Sequence, residues 1–248
     1  MSSKVYLVTG ANRGLGRGFI VEFAKRTNTT IIAGVRDLES PSSKSLATLP
    51  VAAGTKIIAV QIEVASQSSI KAAIKTLQEV HNITTIDVVI SNAGISAYYG
   101  SAATTPLEQV REHFEVNAIG TLSLFQETWP LLQKSKQPTF MAISTGISSL
   151  GAIDAYPMQA TAYGMSKVAV NYAMRKMHFE NEGLVTFVIC PGWVDTDMGS
   201  FGAKTVGMEK APVTVEQSIG GIVKKLDAAT RETVGGTFLS FDDAKYPW

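Results

Sequence analysis

The chain has 248 residues, 45% of them hydrophobic and 17% charged, and a formal net charge of +1. That length and composition can bury a sizeable core and exclude a disordered chain. A near-neutral balance with no block of like charge argues against nucleic acid or an anionic membrane surface as the main partner.

Read in chain order, the opening Met1-Ser2-Ser3-Lys4 runs straight into a strand pattern and leaves no room for a signal peptide. A strand over residues 5–8 ends in Thr9-Gly10, and a helix over 16–25 carries Phe19, Ile20 and Phe23 on one face. A second strand covers 30–35. The polar stretch 38–50, with its serines and prolines, reads as a loop or poorly ordered helix. A third strand (56–62), a helix (66–80) and a fourth strand (86–91) follow. The fourth is nearly continuous and β-branched, as a strand buried on both faces should be. Residues 107–132 hold one or two helices, 140–144 a fifth strand and 162–180 a long helix. The sixth strand, 185–190, ends at Cys190, the only cysteine. That thiol reads as a small buried hydrophobe; with no disulfide possible, it fits a reducing, cytoplasmic setting. The segment 199–212 carries three glycines and reads as mobile, within one domain spanning 1–248. A helix over 215–227 and a strand over 236–241 complete the pattern. Strands alternating with helices give an α/β fold with a parallel sheet covered on both faces. No apolar stretch reaches the ~20 residues of a membrane span.

Two constellations carry chemistry. The first is Thr9-Gly10-Ala11-Asn12-Arg13-Gly14-Leu15-Gly16, placed between strand and helix. Its glycines let the backbone turn tightly and approach a pyrophosphate at a helix N-terminus. The second strand ends Gly34-Val35-Arg36, with no carboxylate until Asp37 to bind a ribose 2′-hydroxyl. Arg36 and Arg13 could instead hold a 2′-phosphate, which points to NADPH over NADH. Solvated surface arginines are the other reading. The second constellation is Tyr163 with Lys167, one helical turn apart on one face. A cation beside a phenol favours the phenolate and lowers its pKa from ~10, making it a general acid or base near neutral pH. His81, His113 and His178 are scattered and lack metal-ligand spacing, so surface or satisfied core roles are favoured and no metal is expected.

Taken in order, these residues resemble the short-chain dehydrogenase/reductase family along the full length. The resemblance rests on Thr9-Gly10-x-x-x-Gly14-x-Gly16, Asn92-Ala93-Gly94, Asn117, Tyr163-x-x-x-Lys167 and Pro191-Gly192. Within the family, residues 191–198 and Pro247-Trp248 are similar to fungal ketoreductases of the norsolorinic acid ketoreductase type and to C-factor-like carbonyl reductases. The resemblance implies a Rossmann-type doubly wound sheet and reversible hydride transfer between NADPH/NADP+ and a ketone or aldehyde. It implies Tyr163 as proton donor, Lys167 on the nicotinamide ribose and Asn117 as holder of a relay water. Asn12, Leu15, Asn92, Ala93 and Gly94 would join the glycine turn along the phosphates and adenosine ribose. Glu63-Val64 stands where the family's adenine-binding Asp-Val is usual, and Pro191, Gly192, Val194 and Thr196 lie near the carboxamide. The catalytic serine usual thirteen residues before the tyrosine is Leu150 here. An insertion around 154–159 would make Thr145 the hydroxyl, with Ser144 next; anchoring on the helix favours Ser149.

Tyr98, Tyr99, Tyr156 and Trp193 are candidate walls for a small hydrophobic, aromatic or polyketide-like carbonyl substrate. The family also implies a homodimer or homotetramer. A non-catalytic NADP(H)-binding scaffold, and an alcohol dehydrogenase running oxidatively, are the two other functions compatible with these motifs.

Overall fold

Every parallel strand needs a crossover, and in this chain the crossovers are helices. The computed structural model describes residues 4–248; residues 1–3, on which the signal-peptide reading partly rests, lie outside them. The chain forms two compact units: Met1–Ala93 with Gly120–Met141, and Gly94–Ile119 with Ala142–Trp248.

In the first unit, β1 (Lys4–Thr9), β2 (Thr29–Val35), β3 (Lys56–Gln61) and β4 (Val88–Ser91) pair in parallel. The chain winds outward from β1 to β2 to β3, then returns to lay β4 on the other side of β1. That reversal is a topological switch point, where doubly wound sheets bind ligands beyond the strands' carboxyl ends. β2 is buried along its whole length, as expected of an interior strand, while edge strand β3 alternates buried and exposed positions. β4 starts two residues later than expected because Asp87 is spent on β1: its carboxylate accepts from Val5 N at 2.8 Å.

Helix α1 (Gly14–Ala24) buries Phe19, Ile20 and Phe23. Phe23 stacks on Tyr6 of β1 with ring centroids 4.2 Å apart. Arg26 lies over the Phe23 ring and donates to the Tyr6 hydroxyl at 2.8 Å. The stretch 38–50 is more ordered than expected. Ser40 caps a short α2 (Pro41–Lys44), with Pro41 in the first turn, and a 3-10 turn follows over Ser45–Thr48. Helix α3 (Gln67–Glu79) begins at an Ser66 cap.

Residues 107–132 are helical throughout, in three segments. α4 (Leu107–His113) passes into a π segment (Phe114–Ile119) and then α5 (Gly120–Leu132). Strand β5 (Thr139–Ile143) contributes residues to both units.

In the second unit, β6 (Val185–Cys190) is buried throughout and pairs in parallel with β7 (Phe238–Ser240). α6 (Thr161–Glu180) packs on β6 and on α4. The expected mobile segment overlaps a helix: α7 (Asp197–Thr205) is capped by Thr196, whose hydroxyl accepts from Gly199 N at 3.1 Å. α8 (Val215–Asp227) carries a full capping box, and a short α9 (Arg231–Val234) precedes β7.

Phe23→Ala removes a buried ring together with its stacking partner's contact and the seat of the Arg26 guanidinium. We expect a loss of about 3–5 kcal/mol, seen as a lower urea midpoint with an unchanged slope.

Candidate active site

The first unit builds an anion cradle at its switch point. Gly10 (φ +65°) and Gly14 (φ +51°) take left-handed backbone that other residues rarely adopt. Gly16 is fixed by space instead, since a Cβ there would lie 2.0 Å from the Gly10 carbonyl oxygen. Thr9 and Asn92 lock the ends of β1 and β4. Thr9 Oγ1 accepts from Asn92 N (3.1 Å) and Ala93 N (3.0 Å), and Asn92 Nδ2 donates to Thr9 O at 2.7 Å. The first turn of α1, which includes Leu15, has no capping side chain and no acidic residue. Its N–H groups and positive dipole end therefore favour a bound phosphate.

Two expected adenosine-side residues meet. Arg36 Nε stands 3.9 Å from Glu63 Oε2, a loose pair, with the arginine side chain 76% exposed. Glu63 Oε1 also accepts from Ala65 N at 3.4 Å, and Val64 is buried. Sequence reasoning overlooked the support from the ordered 41–48 stretch. Asn12 Nδ2 donates to Ser42 Oγ (2.8 Å) and Arg17 to Ser45 Oγ (2.9 Å). The Ser40-Pro41 cap pair was the signal that could have found it.

The acid-base candidates lie in the second unit, where one stripe of α6 reads out the end of β5. Tyr163, Lys167 and Asn171 are spaced by four. Lys167 Nζ donates to Ile143 O at 2.8 Å and is 5% exposed. Burial lowers its pKa to about 8. Tyr163 corrects the expectation drawn from the pair. Its pKa is raised, chiefly by burial and further by Cys190 and Tyr99, while the Thr145 hydroxyl acts in the opposite direction. The ammonium stands 5.9 Å from the phenol ring centroid and is spent on a carbonyl. The phenol therefore keeps its proton at neutral pH: it is poised as an acid.

The competing hydroxyls separate by what they touch. Ser144 is fully buried and donates to Asn171 Oδ1 at 2.6 Å; Ser149 is fully buried and donates to Pro247 O. Thr145 is half-buried, and its hydroxyl faces Tyr163 and lowers the phenol's pKa. Leu150, at the family's usual serine position, is 61% exposed. The lengthened connection comprises 3-10 turns over Gly146–Ser148 and Leu150–Ala155.

Asn117 sits in the π segment, a register often found at functional sites. Its amide donates to Ile95 O (2.9 Å) and Ser166 Oγ (2.9 Å) and accepts from Ile95 N (2.8 Å). Ser166 in turn donates to Tyr163 O at 2.7 Å, so Asn117 is tied to the Tyr163 turn. A Cβ on Gly94 would lie 2.9 Å from Asn117 Oδ1 and 3.5 Å from Lys167 Nζ. Buried His113 uses both ring nitrogens, on Gln109 O (2.6 Å) and Ala97 N (3.1 Å), a satisfied core role.

The remaining candidates border α7. Gly192 (φ +78°) faces the Phe241 ring, and Pro191 O accepts from Ser218 at 2.7 Å. Val194 is buried and bridges to Val213. Trp193 Nε1 donates to Gly199 O at 2.9 Å, holding the first turn of α7. Tyr98 packs against Gly100. Its neighbour Tyr99 makes the contact with α7, edge-on to Phe201 at 5.6 Å. The Tyr156 hydroxyl donates to Tyr246 at 3.1 Å. Among the described residues no group of three His, Cys, Asp or Glu could hold a metal ion, and no helix is long and apolar enough to cross a membrane.

Gly94→Ala should push Asn117 off Ile95 and Ser166. An overpacking loss of about 1–3 kcal/mol is expected in chemical denaturation; wild-type stability would show that the contact yields freely.

The sequence pattern of short chain dehydrogenases matches residues 4–205. The chain is 43% identical to the norsolorinic acid ketoreductase of Dothistroma septosporum over 247 residues, covering 98% of this chain and 92% of that one. The corresponding enzyme of Aspergillus parasiticus is also 43% identical, with 98% and 91% covered. Among solved structures, the NADPH-bound carbonyl reductase from chicken fatty liver superposes with a TM-score of 0.86 at 29% identity, covering all of both chains. The chain belongs to the short-chain dehydrogenase/reductase family.

Proposed function

We propose that this protein is an NADPH-dependent ketoreductase that reduces a hydrophobic, aromatic or polyketide-like ketone. The observation that carries the reading is the α6 stripe: a half-buried phenol that retains its proton, facing the Thr145 hydroxyl, one turn from a buried ammonium. The naming of ketoreductase relatives at 43% identity supports it. We read residues 1–248 as one catalytic domain that works in the cytoplasm. Exposed Leu107, Met165, Tyr172 and Phe179 on α4 and α6 support a homo-oligomer.

The cradle fits a dinucleotide, because glycine is required where a phosphate would approach and no side chain fills the first turn of α1. Gly10, Asn12, Arg13, Gly14, Leu15 and Gly16 would hold the pyrophosphate end, with Asn92 and Ala93 along the adenosine ribose. Arg36 would meet the 2′-phosphate, and Glu63 and Val64 the adenine. Gly94, Tyr163, Lys167, Pro191, Gly192, Val194 and Thr196 would take the nicotinamide end. Bound NADPH supplies the hydride that the carbonyl carbon accepts. Thr145 Oγ1 and Tyr163 Oη hold the carbonyl oxygen, and Tyr163 gives it a proton as negative charge develops there. Lys167 fixes the ribose hydroxyls and offsets the charge left on the phenol. Asn117 shapes the π segment through which a water would return the proton. Tyr98 and Trp193 would wall the substrate, and α7, with Phe201 and Met198 exposed, would cover it.

Tyr163→Phe should keep the fold and NADPH binding but lose turnover by about 10²–10⁴-fold. Near-normal turnover would refute the mechanism. The reductive kcat/KM, which reports the free protein, should fall above about pH 8, where Lys167 loses its charge. A profile flat to pH 10 would remove Lys167 from that role. Arg36→Ala should lower kcat/KM for NADPH roughly tenfold and leave NADH unaffected; equal losses with both cofactors would rule out the 2′-phosphate contact.

A further inference from the structure

We propose that Tyr246-Pro247-Trp248 is a positioning element for the Thr145 hydroxyl, acting through the turns that follow β5. The proposal rests on the reading of Tyr163 and Thr145 above. The segment clips this connection at three points. Ser149 Oγ donates to Pro247 O, Gly151 N donates to Trp248 O at 3.1 Å, and the Tyr156 hydroxyl donates to that of Tyr246 at 3.1 Å. The contact is close, since a Cβ on Gly151 would stand 3.0 Å from the Pro247 ring.

The clip is anchored elsewhere. After β7 the chain folds back so that Lys245 bridges Leu239 in antiparallel sense. The Tyr246 ring stacks on Phe238 at 5.0 Å. Trp248 lies 5.7 Å from the same Phe238 ring and beneath the Arg175 guanidinium at 5.2 Å. Tyr246 also acts on the Cys190 thiol, whose Sγ accepts from Gly146 N at 3.2 Å. Gly146 directly follows Thr145, and a Cβ on it would meet the Tyr156 hydroxyl at 2.4 Å. Thr145 is therefore held at the next residue by Cys190 and a few residues on by the clip. A hydroxyl that must meet both a phenol and a carbonyl oxygen needs placement to a fraction of an ångström. Tyr246 and Trp248 contact the connection, not the reacting atoms, so they are positioning residues. The same contacts explain how a lengthened connection with Leu150 in the usual serine position still presents a hydroxyl to Tyr163.

The test is a double-mutant cycle on the full chain with NADPH and benzil, joined to amide exchange. Trp248→Ala should lower kcat roughly tenfold, leave NADPH affinity unchanged and raise exchange across residues 145–151. Trp248→Phe, which keeps a ring for Phe238 and Arg175, should recover most of the rate. In a Thr145→Ala background, Trp248→Ala should cost less than about twofold more in single turnover, because the group it positions is gone. Two losses that multiply in full, unchanged exchange over 145–151, or an unchanged kcat in Trp248→Ala would each overturn the proposal while leaving the mechanism intact. If Trp248→Ala does not fold, Tyr246→Phe keeps the stack on Phe238, loses the hydrogen bond to Tyr156, and enters the same cycle. A Thr145→Ala variant with normal turnover would instead overturn the Thr145 reading and the positioning role with it.

Discussion

Burying the Lys167 ammonium is the constraint on which the second unit depends. A primary ammonium at 5% exposure has lost most of its hydration, and its pKa falls to about 8 as a result. The ammonium donates to a strand-end carbonyl, Ile143 O, at 2.8 Å. That bond fixes the long axis of α6 against the end of β5, and the rest of the stripe follows. Asn171, one turn on, locks Ser144 and Ser148; Tyr163, one turn back, meets Thr145. One helix face thus sets the positions of an acid, a cation and a hydroxyl-bearing turn.

The same burial decides the chemistry of the phenol. A cation beside a tyrosine would by itself lower the phenol's pKa. Here the ammonium is buried and points at a carbonyl, the phenol is half-buried, and loss of hydration raises the phenol's pKa, so it stays protonated.

Close backbone approach is the second theme. Gly16 against Gly10, Gly94 against Asn117 and Gly151 against Pro247 are places where a single added carbon would collide with a fixed neighbour. Each joins a segment that carries a polar group to one that braces it. The π segment around Asn117 works similarly, widening the helix where its amide must serve both Ile95 and Ser166.

The strands along the chain and the main helices were legible in the sequence because apolar periodicity and glycine placement are local: β6 and α8 begin and end where their patterns do. So were the glycine cradle and the Tyr163–Lys167 spacing, since both are short-range geometry on one turn or one helix. Three things were decided only by tertiary contacts. Which of Thr145, Ser144 and Ser149 reaches the phenol depended on Asn171 and Pro247, residues 27 and 98 positions away from the serines they occupy. The order within 41–48 depended on Asn12 and Arg17 reaching across to Ser42 and Ser45. The state of Tyr163 depended on burial, which no spacing rule contains. The sequence by itself determined which groups lie one helical turn apart; tertiary packing alone decided which of them are stripped of water and what each then bonds.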